Sequence, residues 1–225
     1  MQGLVIVLIV LAVAGALSLH FHLQRQRREG WQRTAASLGL SFTEHDPYGL
    51  LDLPFRLLRS GDGQGIDHVA AGTIDGVPVK VFDFWFYEET TNSKGHTSRS
   101  YSRFTCALVT VPVRCSPTTI ERETIFTRIA DAVGFRDLEF ESEEFNRAFQ
   151  VKSTDAKFAS YLIDARMMEW LLATNGDCRF ELSGDAILCS TRRIRPEQIQ
   201  WLVARARGFR DSMPRVLHDV YGGDA

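Results

Sequence analysis

The chain opens with a run of apolar positions that no polar stripe interrupts. Residues 3–19 are all apolar or small apart from Ser18, and the first charged side chain is Arg25. As one helix, residues 3–23 extend about 30 Å, which matches the hydrocarbon core of a bilayer. An amphipathic helix of a soluble protein would show a polar face instead. The pattern therefore predicts a single transmembrane helix, the anchor, within residues 1–23.

Basic residues that directly follow this run indicate its orientation. The flank of the anchor contains Arg25, Arg27, Arg28 and Trp31, and Lys and Arg prefer the cytoplasmic side of a membrane. We expect the N-terminus outside, residues 3–23 in the lipid of a bacterial inner (cell) membrane, and the following domain in the cytoplasm. A cleaved signal peptide is one alternative, because AVA and AGA surround Ala14, but no basic side chain precedes the apolar run. A buried core helix is the other; we favour the retained anchor.

The rest of the chain divides into a helix, a domain and a tail. Trp31, Ala35 and Leu38 share one helical face, and Gly39 is a typical helix stop. This predicts a juxtamembrane helix within residues 24–40. A cytoplasmic α+β domain is expected over residues 41–221, either as one unit or as two halves that meet near 115–137. Residues 222–225 form a frayed tail.

A three-stranded antiparallel meander is the clearest β pattern. Two β-type runs flank Asp75-Gly76, a dipeptide that favours a tight hairpin turn. The second run, VPVKVFDFWFYEE, is joined to YSRFTCALVTVPV by the polar segment TTNSKGHTSRS. We interpret this segment as a solvated hairpin tip, with a binding or phosphorylation loop that uses Lys94 and His96 as the alternative.

Helix and strand patterns alternate in blocks after the meander. Ser116-Pro117 and Gly134 predict a helix between them. A capping residue at Thr154 or Asp155, and another at Asp164, predict two short helices. The segment CRFELSGDAILC predicts a β-hairpin, and a further helix follows toward the C-terminus. Blocks of this kind favour α+β, with antiparallel hairpins packed against short helices, over a doubly wound parallel sheet.

Composition narrows the range of partners. The 26 basic and 28 acidic side chains nearly balance, so the chain has no basic excess for nucleic acid. The four cysteines form no C-x-x-C pair and have no zinc spacing. In the predicted hairpin, Cys178 and Cys189 lie opposite each other or on one face. We expect reduced, buried thiols there, because the predicted compartment is reducing.

No pattern predicts a catalytic site. Nucleophile, zinc-protease, phosphate-loop and dinucleotide motifs are missing from the sequence, so we expect no enzyme, no cofactor and no metal. Asp83 lies in the alternating strand VFDFWF, where a partly buried carboxylate needs a donor; we interpret it as structural, with a functional role as the alternative. The acidic segment from Glu139 to Glu144 could bind a cation, but a solvated connection is the simpler interpretation.

Two stretches resemble a family of bacterial membrane proteins that carry a domain of unknown function. The stretch LPFRLLRSGDGQGIDHVAAGTIDGVPVKVFDFWF has a Pro-Phe segment, a Gly-rich turn and a Phe-Asp-aromatic strand. The stretch LEFESEEFNRAFQVKSTDAKFASYLIDARMMEWLL has an F-x-x-x-F-x-V-like strand and two helices, with Ala165 where a Pro often begins the second helix. The resemblance covers roughly residues 30–215. It implies one or two N-terminal spans and a cytoplasmic domain, but no reaction or cofactor.

Three hypotheses of function follow. In the first, a single-pass membrane protein uses its cytoplasmic domain to bind or scaffold a protein partner. In the second, the aromatic strand 81–87 is one wall of a sensor site for a small ligand or a lipid headgroup. The candidate surface residues are Asp83, Trp85, Tyr87, Lys94 and His96. In the third, a membrane-tethered hydrolase uses Asp83, His96 or the acidic segment. We favour the first because an anchor and balanced charge accompany the lack of catalytic motifs.

Overall fold

The N-terminal helix is longer than the predicted anchor. The computed structural model describes residues 2–93, 95–122 and 134–222. Helix α1 (Gln2–Ser37) is continuous and ends before Gly39, whose φ of 70° is left-handed. The predicted anchor and the predicted juxtamembrane helix are therefore parts of one helix.

Among the described residues, no helix combines the length and the apolar character that crossing a bilayer requires.

The described residues form one antiparallel sheet of seven strands. The strands are β1 (Ser41–Thr43), β2 (Gly63–Ile74), β3 (Val77–Thr91), β4 (Thr97–Glu121), β5 (Arg136–Leu138), β6 (Gln150–Ser153) and β7 (Arg179–Arg192). Their order is β1-β2-β3-β4-β6-β5, and β7 pairs with β4 outside this path. Strand β4 is therefore the centre of the sheet, with β3 and β6 along one edge and β7 along the other.

Short helices cover the sheet. They are α2 (Glu143–Ala148), α3 (Ala156–Leu162), α4 (Ala165–Ala173), α5 (Ile199–Asp211) and α6 (Arg215–Tyr221), with 3₁₀ turns at Leu50–Asp52, Leu57–Arg59 and Pro196–Gln198. The Asp155 carboxylate accepts hydrogen bonds from the first amides of α3, and that of Asp164 does the same for α4. The α+β class and these two capped helices are confirmed.

The predicted meander is also confirmed, as strands β2, β3 and β4. Asp75 and Gly76 have φ angles of 49° and 79°, as a two-residue hairpin turn of type I′ requires. The second hairpin is longer than expected, because β3 continues to Thr91 and β4 begins at Thr97.

Two other predictions are wrong. Ser116–Glu121 belongs to β4 and does not begin a helix; residues 123–133 of that predicted helix lie outside the described part. The segment between Cys178 and Cys189 is not a hairpin, because β7 continues through Gly184 as one strand. In both places long-range pairing with β4 or β6 outweighs a local turn or cap signal.

Each face of the sheet has its own apolar core. On the helix face, α1 and α2–α6 pack against alternate residues of the strands, including Val79, Val81, Ala107 and Val109. On the loop face, the segment around Leu50–Arg59 covers the aromatic residues Phe82, Phe84, Phe86 and Phe104. The four cysteines are buried with free thiols. The helix-face positions of β3 are apolar and buried from Val77 to Val81, and Asp83 ends this apolar row.

Candidate functional site

Asp83 joins α1 to the middle of the sheet. The carboxylate is buried and receives two hydrogen bonds from the Arg27 guanidinium, Nε–H to Oδ2 and Nη2–H to Oδ1, both at 2.8 Å. The Thr105 hydroxyl on β4 donates a third to Oδ1 at 2.9 Å. A bidentate, charge-assisted pair of this kind is among the stronger side-chain contacts. Asp83 therefore has its donors within the protein.

Two further cationic or titratable groups surround this carboxylate. Asp83 Oδ2 lies 3.7 Å from Arg193 Nε and 3.6 Å from His68 Nδ1. The His68 ring stacks on two aromatic rings, with centroid distances of 6.0 Å to Trp31 and 6.2 Å to Phe42. The Asp83 cluster consists of Arg27, His68, Asp83, Thr105 and Arg193.

Electrostatics keep the Asp83 carboxylate charged. Burial alone raises the pKa of Asp83, but the adjacent His68 and the positive charges of Arg27 and Arg193 outweigh burial, so the pKa lies below its usual value. Burial, and then the nearby Arg27 charge, lower the pKa of Arg193. The cluster is therefore a buried ion pair with an excess of arginine.

The same arginine also fixes the segment that follows β7. Arg27 Nη1–H donates to the carbonyl oxygen of Ile194 at 2.8 Å, and the Ile194 amide donates to the Thr105 hydroxyl at 3.2 Å. One turn along α1, Trp31 is fully buried in the helix-face core. The arrangement fixes the direction in which α1 leaves the domain.

Sequence reasoning placed Arg27 in the membrane flank and missed its pairing with Asp83. Two features of the sequence indicated it. Asp83 is a carboxylate on an apolar strand face that needed a donor, and Arg27 shares a helical face with Trp31 and Ala35. His68 and Arg193 gave no such indication.

The other flank residues pair at the surface. Arg25 Nε lies 2.8 Å from Glu29 Oε1, one turn along α1, and Arg28 Nη2 lies 2.7 Å from Glu44 Oε1. The structure therefore separates the flank into the buried Trp31, the half-buried Arg27 and two exposed arginines.

The candidate residues of the hairpin lie apart from one another. Trp85 and Tyr87 are half-buried on the helix face of β3, beyond Asp83, and His96 is exposed in the turn that follows. Eight strand residues separate Asp83 from Thr91, or about 26 Å, so Asp83 and His96 are not brought together. Lys94 lies outside the described residues.

A second buried ion pair, the Arg179 cluster, lies on the loop face. Arg179 on β7 is fully buried, with Nη1 3.0 Å from Glu121 Oε2 and Nη2 3.0 Å from Glu181 Oε1. Glu181 also accepts the backbone amides of Arg56 at 2.6 Å and Leu57 at 3.1 Å. This cluster fixes the 3₁₀ turn at Leu57–Arg59 over the loop-face core. Alternation in RFELS put Arg179 and Glu181 on one face, which could have indicated their pairing.

The acidic segment is solvated. Glu139, Glu141, Glu143 and Glu144 are exposed, and Ser142 caps α2 by accepting the Phe145 amide at 3.2 Å. An open cleft of about 180 Å³ borders the segment. No group of three or more His, Cys, Asp or Glu side chains in the described part of the chain is arranged to hold a metal ion.

The fold and the docked helix define an α+β protein with a mostly meander-like antiparallel sheet. The crystal structure of the mycobacterial trehalose monomycolate transport factor A, TtfA, is similar, with a TM-score of 0.60. The two chains share 19% sequence identity over 83% of this chain and 92% of that chain, so the likeness shows a shared fold. No family model and no curated protein matches the sequence, and the family resemblance is therefore not confirmed.

Proposed function

We propose that this chain is a membrane-tethered accessory protein whose α+β domain binds a protein partner in envelope lipid transport. The observation that carries the proposal is the continuity of α1 (Gln2–Ser37). Its C-terminal part belongs to the domain core through Trp31 and Arg27, while its N-terminal part, the tether at residues 3–23, is apolar.

The tether has an apolar surface that the domain does not cover. Among the α1 residues whose side chains the structure describes, the exposed large apolar ones are Leu11, Val13, Leu17, Leu19, Phe21 and Leu23. An apolar surface of this extent requires lipid or a partner to cover it. The first 24 residues contain no Asp, Glu, Lys or Arg, which favours lipid, and Arg25 and Arg28 then favour a cytoplasmic domain.

The docked end of α1 favours an adaptor over a loosely attached domain. A flexible linker after the tether would let the domain rotate freely. Here the same helix enters the core, so the domain has one orientation relative to the tether. Fixed orientation is useful to a protein that presents one surface to a neighbour in the same membrane.

The lipid-transport part of the proposal rests on the structural neighbour alone. That protein is a trehalose monomycolate transport factor, and the shared fold supports a related accessory role for this chain. No observation favours the hydrolase hypothesis in the same way, since Asp83 is engaged by Arg27 and distant from His96.

The test is a topology measurement on the full chain. A reporter active only in the cytoplasm, and in parallel one active only outside, is fused after Ala225, and the N-terminus of the mature protein is sequenced. The proposal expects a cytoplasmic signal, an intact tether and recovery in the membrane fraction. An external signal, or loss of the tether from the mature chain, would contradict it.

A pair of variants makes this test specific to the tether. Val13→Arg and Leu17→Arg, combined in one chain, should move the protein to the soluble fraction, because arginine in a membrane helix is costly. Val220→Arg on α6 is the matched control, since Val220 is also an exposed apolar residue, and it should leave the distribution unchanged. Equal effects of both variants would indicate a general folding defect.

A further inference from the structure

The β3–β4 hairpin has a surface of aromatic and arginine side chains beyond the Asp83 cluster. The register puts Trp85 opposite Arg103 and Tyr87 opposite Tyr101 on the helix face. The Arg99 guanidinium lies 4.5 Å from the centroid of the Tyr87 ring, and that of Arg103 lies 5.9 Å from the Tyr101 ring. The aromatic–arginine face consists of Trp85, Tyr87, Arg99, Tyr101 and Arg103.

Glycines on β2 order this face. A Cβ atom at Gly65 would lie 2.5 Å from Trp85 Cζ2, and one at Gly63 would lie 2.5 Å from Tyr87 Cε1, so both rings lie across β2 where it has no side chains. The rings of Trp85 and Tyr87 also contact Tyr101, with centroid distances of 6.0 and 5.6 Å. The face is therefore preformed, although Tyr101 is 50% exposed.

The face lies on the side of the domain from which the tether leaves. Leu40, which follows α1, lies near Gly72. Within α1, Trp31 stacks on His68, and Arg27, nearer the N-terminus, binds Asp83. The helix therefore follows β3 in the strand's forward direction. From Asp83 to Tyr87 is about 13 Å, a distance that about nine residues of helix cover. A straight α1 that continues in this direction brings residues 18–26 to the level of Trp85 and Tyr87 along the strand direction.

We propose that the aromatic–arginine face binds anionic phospholipid headgroups, in which no choline compensates the phosphate charge, in the bilayer that holds the tether. The inference rests on the proposed membrane attachment. Trp and Tyr favour the interface between hydrocarbon and water, and a guanidinium matches phosphate geometry. Glu89 already pairs with Arg99 at 2.7 Å, so Arg103 is the principal phosphate ligand. A second arginine is adjacent, because the backbone amide of Arg193 donates to the carbonyl oxygen of Arg103 at 3.0 Å.

The test uses the full chain, labelled with 5-fluorotryptophan, in lipid nanodiscs. Discs of phosphatidylcholine alone are compared with discs that also contain phosphatidylglycerol, each with a nitroxide on a small share of the headgroups. Trp85→Phe assigns the Trp85 fluorine signal. Trp170 is the internal reference, because it packs on Phe180 and Phe209. The inference expects Trp85 to lose most of its signal to the nitroxide in phosphatidylglycerol discs, while Trp170 keeps its own.

Variants separate headgroup binding from mere closeness to lipid. Arg103→Gln should restore most of the Trp85 signal in phosphatidylglycerol discs, whereas Arg166→Gln, at an exposed position of α4, should not. A chain that enters the discs with equal broadening of Trp85 and Trp170 would overturn this inference and leave the proposed attachment standing. The inference would also be overturned if the Trp85 signal were broadened equally with and without phosphatidylglycerol, and equally in the parent and in Arg103→Gln. A chain that does not elute with the discs would overturn both.

Discussion

Two buried ion pairs lie on opposite faces of one sheet, and their partners differ. In the Asp83 cluster, Arg27 and Arg193 surround one carboxylate, and the Arg27 side chain is 14% exposed. In the Arg179 cluster, one fully buried arginine serves two carboxylates, and backbone amides supply further donors. The first joins a helix that leaves the domain, and the second fixes a turn over the core. Similar chemistry therefore supports attachment in one place and integrity of the fold in the other.

Removal of Arg179 should have the largest effect. Arg179→Met leaves Glu121 and Glu181 without their guanidinium, and we expect the free energy of unfolding to fall by about 3–5 kcal/mol. Urea denaturation followed by circular dichroism measures it. Arg166→Met, at an exposed position, should stay within about 0.5 kcal/mol of the parent. A loss below about 1 kcal/mol for Arg179→Met would remove the contrast between the clusters.

Neutralisation of Asp83 should release α1 and keep the sheet. Asp83→Asn should cost about 2 kcal/mol, because Arg27 and Arg193 keep some contact with water. Hydrogen exchange should accelerate in α1 from residue 28 to 37 and change little in β3 and β4. Glu89→Gln, which removes an exposed ion pair, should alter neither region. Equal acceleration in α1 and β3 would show that the cluster stabilises the whole fold.

Acid should reduce the contribution of the Asp83 cluster to the free energy of unfolding. The folded pKa of Asp83 lies below its ordinary value, so its contribution is complete above the unfolded pKa, near 3.9. As the pH falls through the folded pKa the unfolded state binds more protons, and stability is lost. The parent should therefore lose more unfolding free energy than Asp83→Asn between about pH 5 and pH 3. Parallel pH profiles of the two proteins would contradict the lowered pKa.

Removal of a carboxylate that caps a helix should cause the smallest loss of unfolding free energy. Asp155→Ala and Asp164→Ala each remove a carboxylate that accepts backbone amides, and each should cost about 1 kcal/mol. Asp155 also accepts the hydroxyls of Ser116 and Tyr221, both at 3.2 Å, so its loss should be the larger. Thermal unfolding of the two variants side by side measures the difference. A cost for Asp155→Ala as large as that for Arg179→Met would show that burial does not make the Arg179 ion pair more important than a capping carboxylate.

Short sequence patterns predicted the elements whose geometry depends on a few adjacent residues. The Asp75-Gly76 turn and the caps of α3 and α4 each depend on a few adjacent residues, and all three are as expected. The failures depend on distant strands. Thr118 pairs with both Ser153 and Leu182, and these partners favour a strand over the helix that Ser116-Pro117 indicated.

In the candidate site, too, features set by neighbouring residues were predictable and features set by distant residues were not. Alternation along β3 was enough to single out Asp83 and to put Trp85 and Tyr87 on its face. The donors come from residues 27, 68, 105 and 193, which only the complete sheet and the docked helix bring together. The pairing of Arg179 with Glu121 likewise depends on the adjacent ends of β4 and β7.

The central claim is that α1 couples the tether rigidly to the domain through the Asp83 cluster. The most direct test is a spin-label distance between Leu17→Cys and Ser100→Cys in the full chain in nanodiscs. The native thiols should not react, since burial raises the pKa of Cys106 and Cys189 well above its usual range and that of Cys115 to about 12, and Cys178 is buried. We predict one narrow distance distribution that broadens in Asp83→Asn. A broad distribution in the parent, unchanged by Asp83→Asn, would contradict the account.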